Sequence, residues 1–166
     1  MTPAPDGTLL ANYVWAAAPN VPTPVTGPGT PCIYLLHGLS EHAGRYDRLA
    51  RWLTARGWTV GAHDHRGHGR SAGRPATLAR QEDLVTDAVS RLDAWTAAHG
   101  RPPILLGHSL GALVAVRIAL QQLTPIDALV LSSPPFVVNV PMWVRRTLTW
   151  ICLLYTSDAA DERSSV

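Results

Sequence analysis

Between residues 32 and 131 the chain alternates short unbroken apolar runs with longer stretches in which apolar residues recur every three or four positions. The runs read as strands buried on both faces, the periodic stretches as amphipathic helices. Cys32 to Leu36, bounded by Pro31 and by His37-Gly38, is the first such strand. Arg45 to Arg56 then sets Tyr46, Leu49, Ala50, Trp52 and Leu53 at helical spacing, with Gly57 in the position of a C-cap. Trp58 to Ala62 predicts a second strand and His63 to Arg74 a polar, glycine-rich loop. Gln81 to His99 predicts a helix with Leu84, Val85, Ala88, Leu92 and Trp95 on one face and Gly100 closing it. A strand at Ile104, a helix after Ser109 and a buried strand from Ile126 to Leu131 complete the series, which ends at Ser132-Ser133-Pro134-Pro135. Upstream, a strand is expected from Thr8 to Trp15 and irregular, proline-rich chain from Pro19 to Pro31. Such alternation implies an α/β fold with right-handed crossovers, a mostly parallel doubly wound sheet, and functional loops at the carboxyl ends of the strands.

Composition narrows this only modestly. With 46% hydrophobic and 16% charged residues the chain has material for a core and is not of disordered type. Its net charge of +2 comes from arginines spread from Arg45 to Arg163, with no lysine and no dense basic block, which argues against nucleic acid as a partner. Cys32 and Cys152 have neither metal nor disulfide spacing, and no basic segment followed by an apolar one opens the chain. The expectation is a reduced, cytoplasmic setting without a secretory leader.

The chemistry concentrates at Gly107-His108-Ser109-Leu110-Gly111, which sits between the strand at Ile104 and an apolar helix. A serine on a sharp strand-to-helix turn needs neighbours without side chains two residues to either side, so the segment reads as a nucleophile elbow with Ser109 as nucleophile. All seven histidines precede Ser109. Asp127, the one acid of the core after it, opens a strand and should lie at the opposite edge of the sheet, a poor position for a triad acid.

Two further motifs, His37-Gly38-Leu39-Ser40-Glu41-His42-Ala43-Gly44-Arg45-Tyr46 and Asp64-His65-Arg66-Gly67-His68-Gly69-Arg70-Ser71, precede the elbow in the expected order. Together the three resemble the monoacylglycerol lipase and lysophospholipase (serine aminopeptidase-like) group of the α/β-hydrolase superfamily, over residues 8–150. The resemblance implies an α/β-hydrolase fold acting on carboxylic esters through an acyl-enzyme on Ser109, with no cofactor and a small acyl ester of monoacylglycerol or lysophospholipid type as substrate. It implies backbone N–H donors from Leu39 and Leu110 for the oxyanion, one such donor being worth on the order of 3 kcal/mol of barrier. His37, Gly38, Glu41, Asp64, Gly67, His68, Gly69, Gly107, His108 and Gly111, with His42, are expected to shape the loops rather than react. In this architecture the acid and histidine follow the serine, and neither is found in this chain. The sequence therefore reads as the N-terminal part of such an enzyme, inactive alone, broken off after the nucleophile helix, the next strand and the start of a cap. The other reading is a non-catalytic binding module on the same scaffold.

On this reading residues 1–133 belong to the hydrolase core, 134–151 begin the cap, and 152–166 form a doubtful, non-native tail. The apolar stretch from Phe136 to Leu154, with Trp143, Trp150 and Arg145-Arg146, suits a lid helix in peripheral contact with a lipid surface, and equally a helix packed on its own domain. It is too short and too charged to span a membrane. The acidic tail carrying Asp158 and Asp161 resembles translated adapter sequence. Cutting the sheet after Leu131 should leave an exposed edge and a chain prone to aggregate. The residue types in His63-Asp64-His65-Arg66-Gly67-His68 suit zinc, but strand alternation splits them between faces and Arg66 puts a cation among them, so no metal is expected. Gly67, Gly69 and Gly73 miss dinucleotide spacing, and Pro75 interrupts the helix such a motif requires.

Overall fold

The computed structural model describes residues 1–135, apart from 23, 25–28, 76, 78 and 81. The tail and all but the first two residues of the expected cap, with Cys152, Asp158 and Asp161, therefore lie outside the described residues. Strands β1 (Thr2–Pro3) and β2 (Leu9–Leu10) form a small antiparallel hairpin. Strands β3 (Asn12–Trp15), β4 (Cys32–Leu36), β5 (Thr59–His63), β6 (Ile104–His108) and β7 (Ala128–Ser132) form one sheet in the order β3-β5-β4-β6-β7. All its pairings are parallel except that of β3 with β5. Helices α1 (Asp47–Thr54), α2 (Asp83–His99) and α3 (Leu110–Leu120) connect the parallel strands. This is the α/β-hydrolase arrangement expected from the sequence.

The period of two along β4 sorts the core. Cys32, Tyr34 and Leu36 face one side, where they pack with Leu84, Ala88, Leu92 and Trp95 of α2 and Val114, Ala115 and Ile118 of α3. Leu35 faces the other side with Ala62 and Ala43, against Tyr13, Trp15 and Tyr46. Both faces of β4 are sealed, and all five of its residues are buried.

The structure departs from the sequence expectation at the ends of elements. The single strand expected from Thr8 to Trp15 is broken at Ala11, because Leu9–Leu10 pairs with β1 while Asn12–Trp15 pairs with β5. The first helix begins as a 3-10 turn over Ala43–Tyr46 and becomes α-helical only from Asp47. Its face is also misread. Ala50 is buried, but Leu49 is 37% and Trp52 54% exposed. The strand expected to be buried near Ile126 to Leu131 is β7 at the end of the described sheet, with alternating exposure and Val130 45% exposed. Leu129 and Leu131 pack toward α2 and α3, so one face of β7 is covered and the other open.

Candidate active site

Strand β6 hands the chain to α3 through a single residue. Ser109 has φ 50° and ψ −114°, a region that costs a residue with a side chain about 1–3 kcal/mol and that secondary structure on both sides must enforce. The enforcement is visible. The Ser109 N–H donates to the Ser132 carbonyl of β7 at 2.9 Å, and the Ser109 carbonyl accepts from Ala112 N–H at 3.0 Å. A β-carbon on Gly107 would sit 2.5 Å from the Gly111 carbonyl oxygen, and one on Gly111 2.2 Å from that of Leu36. The two glycines inferred from the motif are thus the positions where helix and strand touch backbone to backbone. Ser109→Gly is expected to stabilise the fold by about 1 kcal/mol, the relieved strain exceeding the entropy glycine adds to the unfolded chain. Urea midpoints of the two proteins measure this, and a less stable glycine variant would mean Ser109 is not strained.

The loop after β4 lies directly over this serine. A β-carbon on Gly38 would come within 3.2 Å of Ser109 Cβ and 2.5 Å of Glu41 Oε1. Glu41, nearly buried, ties the loop down: its Oε1 accepts the Gly38 N–H at 2.7 Å and the Tyr46 hydroxyl at 3.0 Å, while Arg45 lies 3.4 Å from Oε2. Burial, then the Glu41 carboxylate, pushes the Tyr46 hydroxyl pKa up and keeps it a donor. The His108 ring stands between two partners, Nδ1 paired with Ser132 Oγ at 3.0 Å and Nε2 at 3.9 Å from Glu41 Oε1. Leu39 is half-exposed in this loop, and Leu110 is the first residue of α3, where an N–H has no acceptor within the helix.

Asp64, expected only to shape a loop, ties the first two motifs to each other and to strand β3. Its side chain is buried and accepts Ala43 N–H at 2.8 Å, Arg70 N–H at 2.7 Å and the Tyr13 hydroxyl at 2.9 Å. Gly69 passes so close that a β-carbon there would lie 2.1 Å from Asp64 Oδ2. The histidines behind it form a neutral array. His65 N–H donates to His37 Nε2 at 2.9 Å, which leaves the His37 proton on Nδ1, bonded to the Gly38 carbonyl at 2.7 Å. His65 Nε2 in turn donates to the His37 carbonyl at 3.0 Å. Burial is the first cause that lowers His37 to about 4 and His63 to about 3, and it drives His65 well below its usual value. His68 Nδ1 is paired with the Arg66 carbonyl at 3.0 Å, in the loop that Gly67 turns at φ 70°. Among the described residues no three of His, Cys, Asp and Glu are grouped to hold a metal ion.

Arg66, which sequence reasoning treated only as an obstacle to zinc, is a structural pivot. It grips Asp87 of α2 through two bonds of 2.7 Å and reaches Asp6 at 2.9 Å and Asp83 at 3.2 Å. Tyr13 and Ser132 were also missed, since a partner of a motif carries no signature of its own. Asp127 sits where expected, at the amino-end edge of the sheet, paired with Arg101 and bonded through its N–H to the Pro103 carbonyl.

Comparison with known proteins agrees with this geometry. Residues 28–160 match the family model described as serine aminopeptidase, S33. The chain belongs to the serine aminopeptidase S33 family. The chain is 38% identical to mouse monoglyceride lipase over 114 residues, which cover 67% of this chain and 38% of that protein. It is also 38% identical to the monoacylglycerol lipase of Mycolicibacterium smegmatis over 129 residues, covering 77% of this chain and 43% of that protein. The chain thus spans about two fifths of the length of these relatives. The crystal structure of Paleococcus ferrophilus monoacylglycerol lipase superposes with a TM-score of 0.62 at 31% identity, over 81% of this chain and 48% of that one. The yeast monoglyceride lipase, at 22% identity and TM-score 0.69, adds support for the α/β-hydrolase fold.

Proposed function

We propose that this chain carries the nucleophile half of a carboxylic ester hydrolase acting on monoacylglycerol-type or lysophospholipid-type lipids, with Ser109 as the nucleophile. The observation that carries the reading is the strained Ser109 backbone, held at the junction of β6 and α3 beneath the Gly38 turn. In this proposal Ser109 Oγ attacks the ester carbonyl, its proton passes to a base, and the carbonyl oxygen becomes an anion received by the Leu39 and Leu110 N–H groups. The alcohol then leaves with a proton, and water cleaves the acyl-enzyme by the reverse sequence. The names of the relatives, monoglyceride lipase and monoacylglycerol lipase, support the monoacylglycerol part of this substrate class.

Among the described residues no histidine is hydrogen-bonded to Ser109 Oγ to serve as that base. Every histidine of the chain precedes Ser109, and those of the site are occupied elsewhere: His37 with His65, His108 with Ser132. Added imidazole should therefore substitute for it. With a fluorophosphonate probe, modification of Ser109 is expected to be slow in buffer and to rise in proportion to imidazole concentration. Ser109→Ala should abolish it. Intact-mass and peptide analysis reads the result, and no imidazole-dependent adduct on Ser109 in folded protein would favour a binding module on a hydrolase scaffold.

A further inference from the structure

We propose that the outer face of α1 is a docking surface for anionic lipid bilayers, set beside the loop that covers Ser109. The face is built from residues that a merely solvated helix does not combine. Trp52 is 54% and Leu49 37% exposed, one turn apart, while Ala50 takes the inward position. Around them lie Arg45, Arg48, Arg51 and Arg56, all exposed. Arg56 stands 3.8 Å above the Trp52 ring and donates to the Trp52 carbonyl at 2.9 Å. An exposed indole flanked by guanidiniums is the composition of an interfacial anchor: the ring sits at headgroup depth while the cations meet lipid phosphates.

Charge selects the partner. Asp47 offsets Arg51 at 2.6 Å and Glu41 lies 3.4 Å from Arg45, so among the described residues Arg48 and Arg56 face solvent without a carboxylate partner. A surface carrying apolar depth and negative charge together satisfies both halves of the patch, and an anionic bilayer has both. Position adds a consequence. Tyr46, immediately before α1, bonds Glu41, and Glu41 holds the Gly38 turn over Ser109. A bilayer on α1 thus meets the protein next to the segment that leads from the Gly38 turn into the helix. The docking itself rests on the α1 surface alone, so it stands or falls independently of the chemistry at Ser109.

The test is co-sedimentation of the whole chain with extruded vesicles of phosphatidylcholine alone and of phosphatidylcholine with about one third phosphatidylserine, at low and physiological ionic strength. Binding is expected to the mixed vesicles, weaker at higher salt, and to fall by about tenfold or more in Arg48→Glu with Arg56→Glu and several-fold in Trp52→Ala. Arg117→Glu, on α3, should bind as the parent does. Circular dichroism checks that each variant is folded, which the exposure of these side chains favours. Absence of binding, or binding unchanged by the α1 variants, would overturn the proposal. Binding lost with the arginines but indifferent to Trp52→Ala would also overturn it, because that is the behaviour of a general anion patch.

Discussion

Acidification from pH 7.5 to pH 5 is expected to remove about 6 kcal/mol of folding stability, enough to unfold a domain of ordinary stability. The cause is the imidazole array behind the elbow. His37, His63 and His65 are buried, with His37 at about 4, His63 at about 3, and His65 also far below its ordinary range. Their rings lie close together, His37 to His65 at 4.3 Å and His63 to His65 at 5.2 Å between centroids. Protonating one would place a cation in a dry site beside the others. Among the described residues His63 Nε2 and His65 Nδ1 have no hydrogen-bond partner, His63 Nδ1 is already paired with the Tyr34 hydroxyl at 3.1 Å, and His37 Nε2 is filled by the His65 N–H.

The sign follows from where each state binds protons. Below about pH 6.5 the unfolded chain protonates these histidines while the folded one does not, so the unfolded state holds more protons and stability falls with falling pH. The loss begins near 6.5 and continues toward about 4 for His37 and about 3 for His63. Each group contributes about 1.4 kcal/mol per pH unit, or about 2 kcal/mol by pH 5, and three give the total. Urea unfolding at closely spaced pH values should show a slope near 4 kcal/mol per unit below pH 6. His63→Phe removes one titrating ring at similar volume and should cut that slope by about a third. A stability flat between pH 7 and 5 would show that the rings take up protons in the folded state.

These histidines also show what was legible in the sequence and why the rest was not. Strand β4, helix α2 and the elbow follow from local rules: a bounded apolar run, a periodic apolar face ended by Gly100 in the left-handed conformation, and glycines two residues either side of a serine. The motifs marked His37, Glu41, Asp64 and His108 as shapers of loops. Local rules do not state the bond each makes. That Asp64 gathers Tyr13, Ala43 and Arg70 depends on β3, the 3-10 turn and the glycine-rich loop meeting in space. Helix α1 was misread for a related reason. Periodicity identified a helix, but the inward side was taken by small Ala50, leaving Leu49 and Trp52 outside. The broken strand at Ala11 is a partner effect too, since Leu9–Leu10 and Asn12–Trp15 have different neighbours.

Gly111→Ala is expected to destabilise the chain by more than about 4 kcal/mol, the range reserved for backbone collision in a core. Its β-carbon would meet the Leu36 carbonyl oxygen at 2.2 Å and that of His37 at 2.6 Å. Neither can withdraw, because β4 is the central strand and pairs with β5 on one side and β6 on the other. Helix α3 cannot retreat either, its first turn being fixed by the Ser109 bonds to Ser132 and Ala112 and its inner face by Ala115 and Ile118 in the core. Gly38→Ala is the informative contrast. The new methyl there meets the Glu41 carboxylate at 2.5 Å, the end of a side chain that can rotate, so the expected cost is only about 1–2 kcal/mol. Thermal unfolding followed by circular dichroism separates the two: Gly111→Ala should lack a cooperative transition under conditions where Gly38→Ala still shows one. Equal, mild effects would mean that α3 slides along the sheet, and with it that the strain at Ser109 is not built in by the strands and helix around it.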